Sequence, residues 1–209
     1  MGSIAGDLRF RYEGSMMHLT PFPVLLGIPL EIEYVSDMES KAKYILLCGN
    51  QSGFIELAKD KVDDTFSCIL VHTEEPATYW AVDFVKKMKE DLGLPVLAVG
   101  DSSPLAVKSF SHFVAGGCDI KWLGLRPSDL ESTGLSEGCM LAMRKADLEL
   151  AQQLLEEDIV KKKPEWVKEL KIMVNNQRKC GQGRRMVTRK ELGIGHFGET
   201  LNCAKLILA

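Results

Sequence analysis

Short apolar runs alternate with helical patterns through the middle of the chain. The runs at residues 44–48, 68–71 and 96–99 are too short for helices and are rich in Val, Ile and Leu, as buried strands are. Each is followed by apolar residues at helical spacing. Parallel neighbouring strands need such crossover connections, so the pattern predicts a mostly parallel sheet flanked by helices. The predicted fold class is therefore α/β.

The turn after the third predicted strand is the most informative position in this pattern. The strand stops at Gly100, and a new apolar pattern opens on Pro104. Ser103 suits the N-cap of a helix, and Pro104 suits its first position. Asp101 would then lie at the carboxyl end of a central strand, beside a helix N-terminus, where open α/β sheets bind ligands. We expect any functional site of the chain to include this loop.

The pattern divides the chain into three predicted segments, at residues 1–43, 44–175 and 176–209. The first contributes lead-in strands. The second is the α/β domain, extended by two C-terminal helices that run from about Lys145 to Val160 and from Pro164 onward. The third is rich in glycine and basic residues, and we expect a poorly ordered tail.

Composition and charge limit the classes of protein. The chain has 209 residues, 45% of them hydrophobic and 26% charged, which suits a folded domain and excludes a disordered chain. No apolar run is long enough to span a membrane, and we expect an intracellular protein with no membrane partner. The net charge is −3, but basic residues gather in the last quarter. Such a cluster either contacts phosphates or is solvated surface.

Cysteine and histidine spacing gives no sign of a metal or nucleophilic site. The six cysteines occur singly, without a Cys-x-x-Cys pair, so we expect reduced core thiols rather than a zinc site or redox centre. The histidines have no nucleophile or carboxylate at a recognisable spacing, and we expect surface or hydrogen-bonded core residues. They are His18, His72, His112 and His196.

Several stretches together resemble one known family. They are residues 44–60, 68–71, 85–89, 94–98, 101–104 and 120–130. The series resembles the A subunit of topoisomerase VI, and equally its meiotic relative, the double-strand-break transesterase of the Spo-eleven type. Residues 154–166 continue the match and are most similar to plant members. The resemblance covers roughly residues 3–175, and its most specific block runs from Trp122 to Leu130, because no general α/β pattern demands that string.

The resemblance implies a Toprim-type domain and a role connected with DNA topology and meiotic recombination. It implies a magnesium site formed by a glutamate after the first strand and an Asp-x-Asp after the third. Magnesium prefers hard oxygen ligands, so such a site needs clustered carboxylates. It also implies a tyrosine on a separate N-terminal domain, which attacks the DNA phosphate. A nuclear location, DNA binding and partners resembling the A or B subunits of topoisomerase VI are the corresponding expectations.

The chain departs from the family pattern where that chemistry lies. The family's Val-Glu-Lys is Cys48-Gly49-Asn50 here, and its Asp-x-Asp is Asp101-Ser102-Ser103. One acid of three is kept, and the tyrosine domain would precede residue 1. We therefore expect no catalytic residue in this chain, a magnesium site that is weak or lost with Asp101 as its one candidate ligand, and no DNA cleavage by the chain alone. Whether the chain counts as an enzyme stays open.

Other residues have two interpretations each. Asp101 either keeps a residual metal contact or is a turn-forming aspartate that helps to cap the following helix. Lys121 and Arg126 are candidate DNA contacts, although a structural salt bridge suits Arg126 equally well. We expect Trp122 in the core rather than as a stacking platform for bases. Glu74 and Glu75 follow the second strand, and we expect solvated loop acids there rather than ligands.

Three functional hypotheses result. The first is a truncated, degenerate family member that keeps the Toprim scaffold and contacts DNA weakly. The alternative is a non-catalytic interaction module that associates with full-length A-type subunits through the helices after Leu141. A small-molecule α/β enzyme using Asp101 ranks last, because the chain has no Gly-rich phosphate loop.

Overall fold

The computed structural model describes residues 2–19, 26–129 and 140–180. The chain divides into two compact units. The first unit comprises residues 1–99 and 112–122, and the second comprises residues 100–111 and 123–209.

The strands form a six-stranded sheet, a three-stranded sheet and a two-stranded sheet. In chain order they are β1 (Ser3–Ala5), β2 (Leu8–Tyr12), β3 (Ser15–Leu19), β4 (Leu26–Gly27), β5 (Val35–Glu39), β6 (Tyr44–Cys48), β7 (Cys68–His72), β8 (Val96–Val99), β9 (Ile120–Gly124), β10 (Met140–Ala142) and β11 (Arg178–Cys180). The order of the six-stranded sheet is β4-β1-β7-β6-β8-β9. Strand β6 pairs in parallel with β7 and β8, which confirms the predicted crossovers.

The central strands are buried along their whole length, which explains their continuous apolar sequence. Every residue of β6, β7 and β8 is buried. Parallel strands covered by helices on both faces have no solvent-facing side, so hydrophobic residues do not alternate with polar ones. Strand β1 pairs antiparallel with both β7 and β4, and β4 forms one edge of the sheet.

Three strands of the predicted lead-in segment form the three-stranded antiparallel sheet, in the order β3-β2-β5, whereas β1 and β4 of the same segment join the six-stranded sheet. Leu8 and Phe10 of β2 are fully buried, whereas Arg9 and Arg11 point outward. Both arginines pair with acids of the neighbouring β5 strand, and the Arg11 Nε to Asp37 Oδ2 distance is 3.0 Å. Buried apolar and exposed polar residues alternate along β2, as in a strand with one buried face.

Among the described residues, four α-helices belong wholly or partly to the first unit: α1 (Gln51–Lys59), α2 (Val62–Phe66), α3 (Tyr79–Leu92) and α4 (Pro104–Ala115), and a short 3-10 helix spans Ile32–Tyr34. Helix α3 ends at Gly93, whose φ of 66° places it in the left-handed region that favours glycine at a helix C-terminus. Its buried residues lie on one face and include Phe84, Val85 and Met88.

The second unit contains the helices α5 (Lys145–Glu156), α6 (Asp158–Lys161) and α7 (Pro164–Asn176), together with the antiparallel pair β10 and β11. The single helix predicted from Lys145 to Val160 is interrupted at Glu157, whose ψ of 129° is extended. The Glu157 carboxylate accepts a hydrogen bond from Lys108 at 2.8 Å, an interaction that periodicity does not reveal.

Regular structure continues beyond residue 176, where the tail was predicted to begin. Helix α7 ends at Asn176, and β11 follows after one residue. The rest of the predicted tail, from residue 181, lies outside the described residues. In the described part of the chain, no helix has the length and apolar character needed to cross a membrane.

Candidate functional site

The loop between β8 and α4 is held by backbone hydrogen bonds at its first residue. The Gly100 amide donates to Gly124 O at 2.8 Å, and the Leu125 amide donates to Gly100 O at 2.8 Å. A Cβ atom at position 100 would lie 2.9 Å from Cζ of Phe110, closer than packed atoms tolerate. A larger residue here would require the Phe110 ring to shift, so glycine suits the close packing at the start of the loop that carries Asp101.

The next three residues of this loop are buried, and each takes part in a hydrogen bond. Asp101 is 7% exposed, and its carbonyl oxygen accepts a hydrogen bond from the Ser103 amide at 2.9 Å. Ser102 forms a bridge with Cys180, whose amide donates to Ser102 O at 2.9 Å. The Ser103 hydroxyl accepts from the Ala106 amide at 3.3 Å, which confirms the predicted N-cap. The Ser103 side chain thus caps the helix, and the Asp101 carbonyl oxygen takes part in the turn before it.

The loop between β6 and α1 uses its residues for local structure. The Gly49 amide donates to Val99 O at 3.0 Å and so continues the parallel pairing of β6 and β8. Asn50 is the N-cap of α1, because its Oδ1 accepts from the Gly53 amide at 2.7 Å. These are the two positions where the resemblance places a glutamate and a lysine. In this chain they carry no acid, and the one polar side chain is already hydrogen-bonded.

His72 also lies at this end of the sheet, a position that the sequence interpretation did not connect with the loop. It is 7% exposed, and its Nδ1 lies 3.3 Å from Cys48 O. Burial lowers the pKa of His72, so the neutral ring is favoured. Its ring centroid is 6.0 Å from that of Phe54. The pairing of Cys48 with His72 in the β6–β7 register brings them together, and only the register could have revealed it.

Carboxylates are sparse at these strand ends. Glu74 is exposed and Glu75 is partly buried, both just after β7. Within residues 2–19, 26–129 and 140–180, no three or more His, Cys, Asp and Glu side chains are grouped so as to hold a metal ion. Magnesium is bound through several hard oxygen ligands, with carboxylates supplying the charge.

Arg126 makes a two-pronged ion pair with Asp129. Its Nε lies 3.1 Å from Asp129 Oδ2 and its Nη2 lies 3.0 Å from Oδ1, while the Arg126 amide donates to Oδ2 at 2.8 Å. The hydrogen bond with Asp129 raises the pKa of Arg126. Of the two interpretations of Arg126, the structural salt bridge is therefore present. Its side chain is still 43% exposed, against 16% for Asp129.

Lys121 and Trp122 follow each other on β9 and face opposite ways. Lys121 is exposed, whereas Trp122 is 6% exposed, so the prediction that Trp122 belongs to the core is confirmed.

Two basic residues of the last quarter form ion pairs: Lys161 with Glu156, and Lys179 with Asp147. Burial alone would raise the pKa of Asp147, but hydrogen bonds from Lys179 and from the Arg144 amide lower it.

The cysteines that the structure describes are free, buried thiols, as predicted. They are Cys48, Cys68, Cys118 and Cys180. Burial raises the pKa of each of the first three, to about 12 for Cys68, which keeps these groups protonated and unreactive. Cys139 and Cys203 lie outside the described residues.

Comparison with known proteins places this fold in one family. The family model for the Toprim domain of the topoisomerase 6 A subunit and Spo11 matches residues 44–189. Over 192 residues the chain is 38% identical to the A subunit of DNA topoisomerase 6 from Arabidopsis thaliana, and the match covers 86% of this chain and 45% of that protein. It is 36% identical to the A3 subunit of DNA topoisomerase 6 from Oryza sativa subsp. indica, covering 86% of this chain and 43% of that protein.

The meiotic branch of the family matches more distantly. Identity to meiotic recombination protein SPO11-1 of Arabidopsis thaliana is 27% over 187 residues, covering 83% of this chain and 52% of that protein. The chain thus spans about half the length of the curated relatives it matches. The family match agrees with the parallel central sheet and its flanking helices. The chain therefore belongs to the family of topoisomerase 6 A subunits and Spo11, and carries its Toprim domain.

Proposed function

We propose that this chain is a non-cleaving member of the family, which contacts DNA through its basic side chains and works in the nucleus. The observation that carries the proposal is the chemistry at the carboxyl ends of β6 and β8. Gly49 has no side chain, Asn50 caps α1, and the Ser103 hydroxyl caps α4. Asp101 is the one acid left at the positions that the resemblance assigns to magnesium.

These potential metal ligands support the proposal that the magnesium site is weak or lost. A single carboxylate assisted by water supplies one negative charge, whereas magnesium is held through several hard oxygen ligands, so we expect magnesium binding no tighter than roughly millimolar. The hydroxyl of Ser103 supplies no negative charge to replace the missing acid. Without a charged metal at the strand ends, the chain lacks the means to stabilise a phosphate under attack.

The metal proposal is tested with the substitution Ser103→Asp, which recreates the Asp-x-Asp sequence. Aspartate is also a good N-cap, so α4 should still begin at the same residue. We expect this variant to bind magnesium several-fold more tightly than the original chain, measured by calorimetric titration and by the rise in unfolding temperature with added magnesium. Ser103→Asn is the matched neutral control and should gain nothing. Micromolar magnesium binding by the unaltered chain would contradict the proposal.

The DNA proposal rests on exposed basic side chains, with Lys121 and Arg126 as the candidate contacts. Removing one phosphate contact should reduce the slope of log affinity against log salt by about 0.9. We therefore expect Lys121→Gln and Arg126→Gln each to flatten the salt dependence of duplex DNA binding by about that amount, in fluorescence anisotropy. Lys59→Gln, at the exposed end of α1, is the control that should change nothing.

Asp129 competes with phosphate for Arg126 in this scheme. The substitution Asp129→Asn keeps one oxygen acceptor but removes the charge that holds the guanidinium. We expect this variant to bind DNA more tightly and with a steeper salt dependence than the original chain. A salt slope near zero for the original chain would rule out DNA binding. Cleaved plasmid, or protein covalently attached to DNA, would rule out the non-cleaving role.

The names of the relatives favour a second candidate function. Two of them are named as subunits of a DNA topoisomerase, and are therefore parts of an assembly. We propose as the alternative that the chain associates with full-length A-type subunits without cutting DNA. Co-purification of the chain with such a protein tests this, and a mixture in which the chain elutes alone at its own mass would count against it.

A further inference from the structure

The hairpin of β2 and β3 ends in a tight two-residue turn, which sets the hydrogen-bond pattern of both strands. Glu13 has a φ of 48° and Gly14 a φ of 79°, as a type I′ turn requires. The turn bond then joins Ser15, the first residue of β3, to the residue before the turn. Hydrogen-bonded and non-hydrogen-bonded pairs alternate along an antiparallel ladder. Met16 and His18 therefore turn their backbone N–H and C=O groups away from β2.

These outward groups form an open edge of the three-stranded sheet. In the described part of the chain, β3 pairs with β2 alone, and its register is regular along the whole strand. Met16 is 47% exposed, and His18 is exposed as well. The strand contains no lysine and no proline, two residues that commonly protect an edge from further pairing. The edge of β3 is thus able to accept another strand.

The other sheet edges among the described strands are each protected. Strand β5, at the opposite edge of the same sheet, has an irregular register, and its acidic Asp37 has a φ of 51°. Strands β4 and β10 are short, with two and three residues, and β9 carries the exposed Lys121. Bulges, short strands and charged side chains are the usual devices against edge pairing. Within the described ranges, β3 is the long and regular edge that has none of them.

We propose that β3 pairs antiparallel with β3 of a second copy of this chain, about a two-fold axis at Met17. Such an interface is isologous, because the same surface is used by both copies. A pairing centred on Met17 places Met16 of each copy opposite His18 of the other. These are the residues whose backbone groups face outward, so the two pairs exchange four backbone hydrogen bonds. Met17 faces its own counterpart in a non-hydrogen-bonded pair, where side chains approach closely.

The side chains around the edge are compatible with this self-pairing. The facing pairs would be Met with His, Met with Met and Ser with Leu, so no two like charges lie opposite each other. The two arginines of β2 are each paired with an acid of β5, which balances their charge. Methionine side chains are flexible and adapt to a facing surface. Because every copy offers the same edge in the same register, a second copy is the partner that the edge fits.

The association of the full chain is measured by analytical ultracentrifugation, at protein concentrations from about 10 µM to about 1 mM. One short strand from each copy makes a small interface, so we expect a weak dimer with a dissociation constant on the order of 100 µM. A chain that stays monomeric over this whole range would overturn the proposal and would leave the edge to a strand of another protein.

The substitution Met16→Pro tests whether the dimer uses the edge of β3. It removes an outward N–H group that β2 does not use and places the proline ring at the edge, so the hairpin is kept while pairing is blocked. We expect the dissociation constant to rise by at least about tenfold. Met16→Thr is the matched control, because threonine keeps the N–H group and suits a strand, and it should change the constant by less than about threefold. A dimer that survives Met16→Pro would use another surface, against the proposal.

The substitution Met17→Cys tests the register. The two Cα atoms at this position would lie about 4.5 Å apart in the proposed pairing, within the range of a disulfide, so oxidised glutathione should link the chains into dimers. Met16→Cys is the control, because its two Cα atoms would be diagonal neighbours about 8 Å apart, too far for a disulfide. The unaltered chain gives the background from its own cysteines. Equal linking of the two variants would contradict a two-fold axis at Met17.

Discussion

At the scale of single residues, Asp63 of the first unit is an aspartate buried without a hydrogen bond to its carboxyl oxygens in the described part of the chain. It lies in the first turn of α2 and is 3% exposed. Burial raises the pKa of Asp63, while the nearby Asp63 and Asp64 amides favour the charged form without reaching hydrogen-bonding geometry. The folded protein therefore favours the neutral carboxyl group more than the unfolded chain does.

This gives the stability of the protein a pH dependence with a definite sign. The pKa of an aspartate in the unfolded chain is about 3.9, and the folded value is higher. The protonated Asp63 carboxyl group stabilises the folded state relative to the charged form. This contribution is fully present below pH ~3.9 and is lost as the pH rises through the folded pKa. We expect Asp63→Asn to be more stable than the original chain at pH 8, by on the order of 1 kcal/mol, with the difference closing toward pH 4.

Urea denaturation at several pH values measures this difference. Asp64→Asn is the matched control, because Asp64 is the exposed neighbour in the same turn of α2. Its stability should differ little from that of the original chain at any pH. If the stability curves of the Asp63→Asn variant and the original chain ran parallel from pH 4 to pH 8, Asp63 would not be the group responsible.

At the scale of elements, α7 fixes the turn that follows β9. Glu169 of α7 is 4% exposed and accepts two hydrogen bonds from Ser128, from the amide at 2.9 Å and from the hydroxyl at 2.7 Å. Ser128 therefore donates to a residue 41 positions away along the chain. A helix from the end of the described chain thus holds the segment that carries Arg126.

We expect Glu169→Gln to destabilise the second unit by about 1 to 2 kcal/mol. Glutamine keeps one oxygen acceptor for the two Ser128 donors and has no negative charge to strengthen the remaining bond. Chemical denaturation measures the loss, and the Ser128 amide should exchange its hydrogen faster. Glu165→Gln on an exposed position of the same helix should change stability by no more than about 0.5 kcal/mol. Equal effects of the two substitutions would contradict this assignment.

At the scale of the whole molecule, the order of elements along the chain differs from their grouping in space. Strand β11 comes at the end of the described chain, yet it pairs with β10 and its Cys180 bridges to Ser102. Lys179 of the same strand forms a 2.8 Å ion pair with Asp147 of α5, and both side chains are largely buried. Three separate parts of the second unit are therefore joined by one three-residue strand.

Shortening the chain tests how much β11 contributes. A chain ending after Cys180 keeps these interactions, whereas a chain ending after Gln177 lacks the β10 pairing, the Ser102 bridge and the Lys179 ion pair. We expect the shorter chain to unfold at a temperature lower by about 5 °C or more, corresponding to roughly 2 kcal/mol for a protein of this size. Calorimetry measures the difference. Identical unfolding temperatures would mean that β11 adds nothing to stability.

Features that depend on neighbouring residues could be predicted from the sequence. The buried strands β6, β7 and β8 correspond to short apolar runs, and the Ser103 cap and the Gly93 helix end follow from local backbone requirements. The resemblance to the family also rests on short contiguous stretches. The scarcity of acids at the site is evident directly from Gly49 and Ser103.

The amino-acid sequence by itself determined the α/β alternation, the family and the identity of the residues at the candidate site, because each depends on order along the chain. Only the tertiary structure decided the break in the helix at Glu157 and the contact of His72 with Cys48. It also decided the hydrogen bonds from Ser128 to Glu169 and the pairing of β11 with distant residues. These features join residues far apart in sequence. Hydrophobic periodicity reports which side of an element is buried, but it carries no information about which distant partner lies against that side.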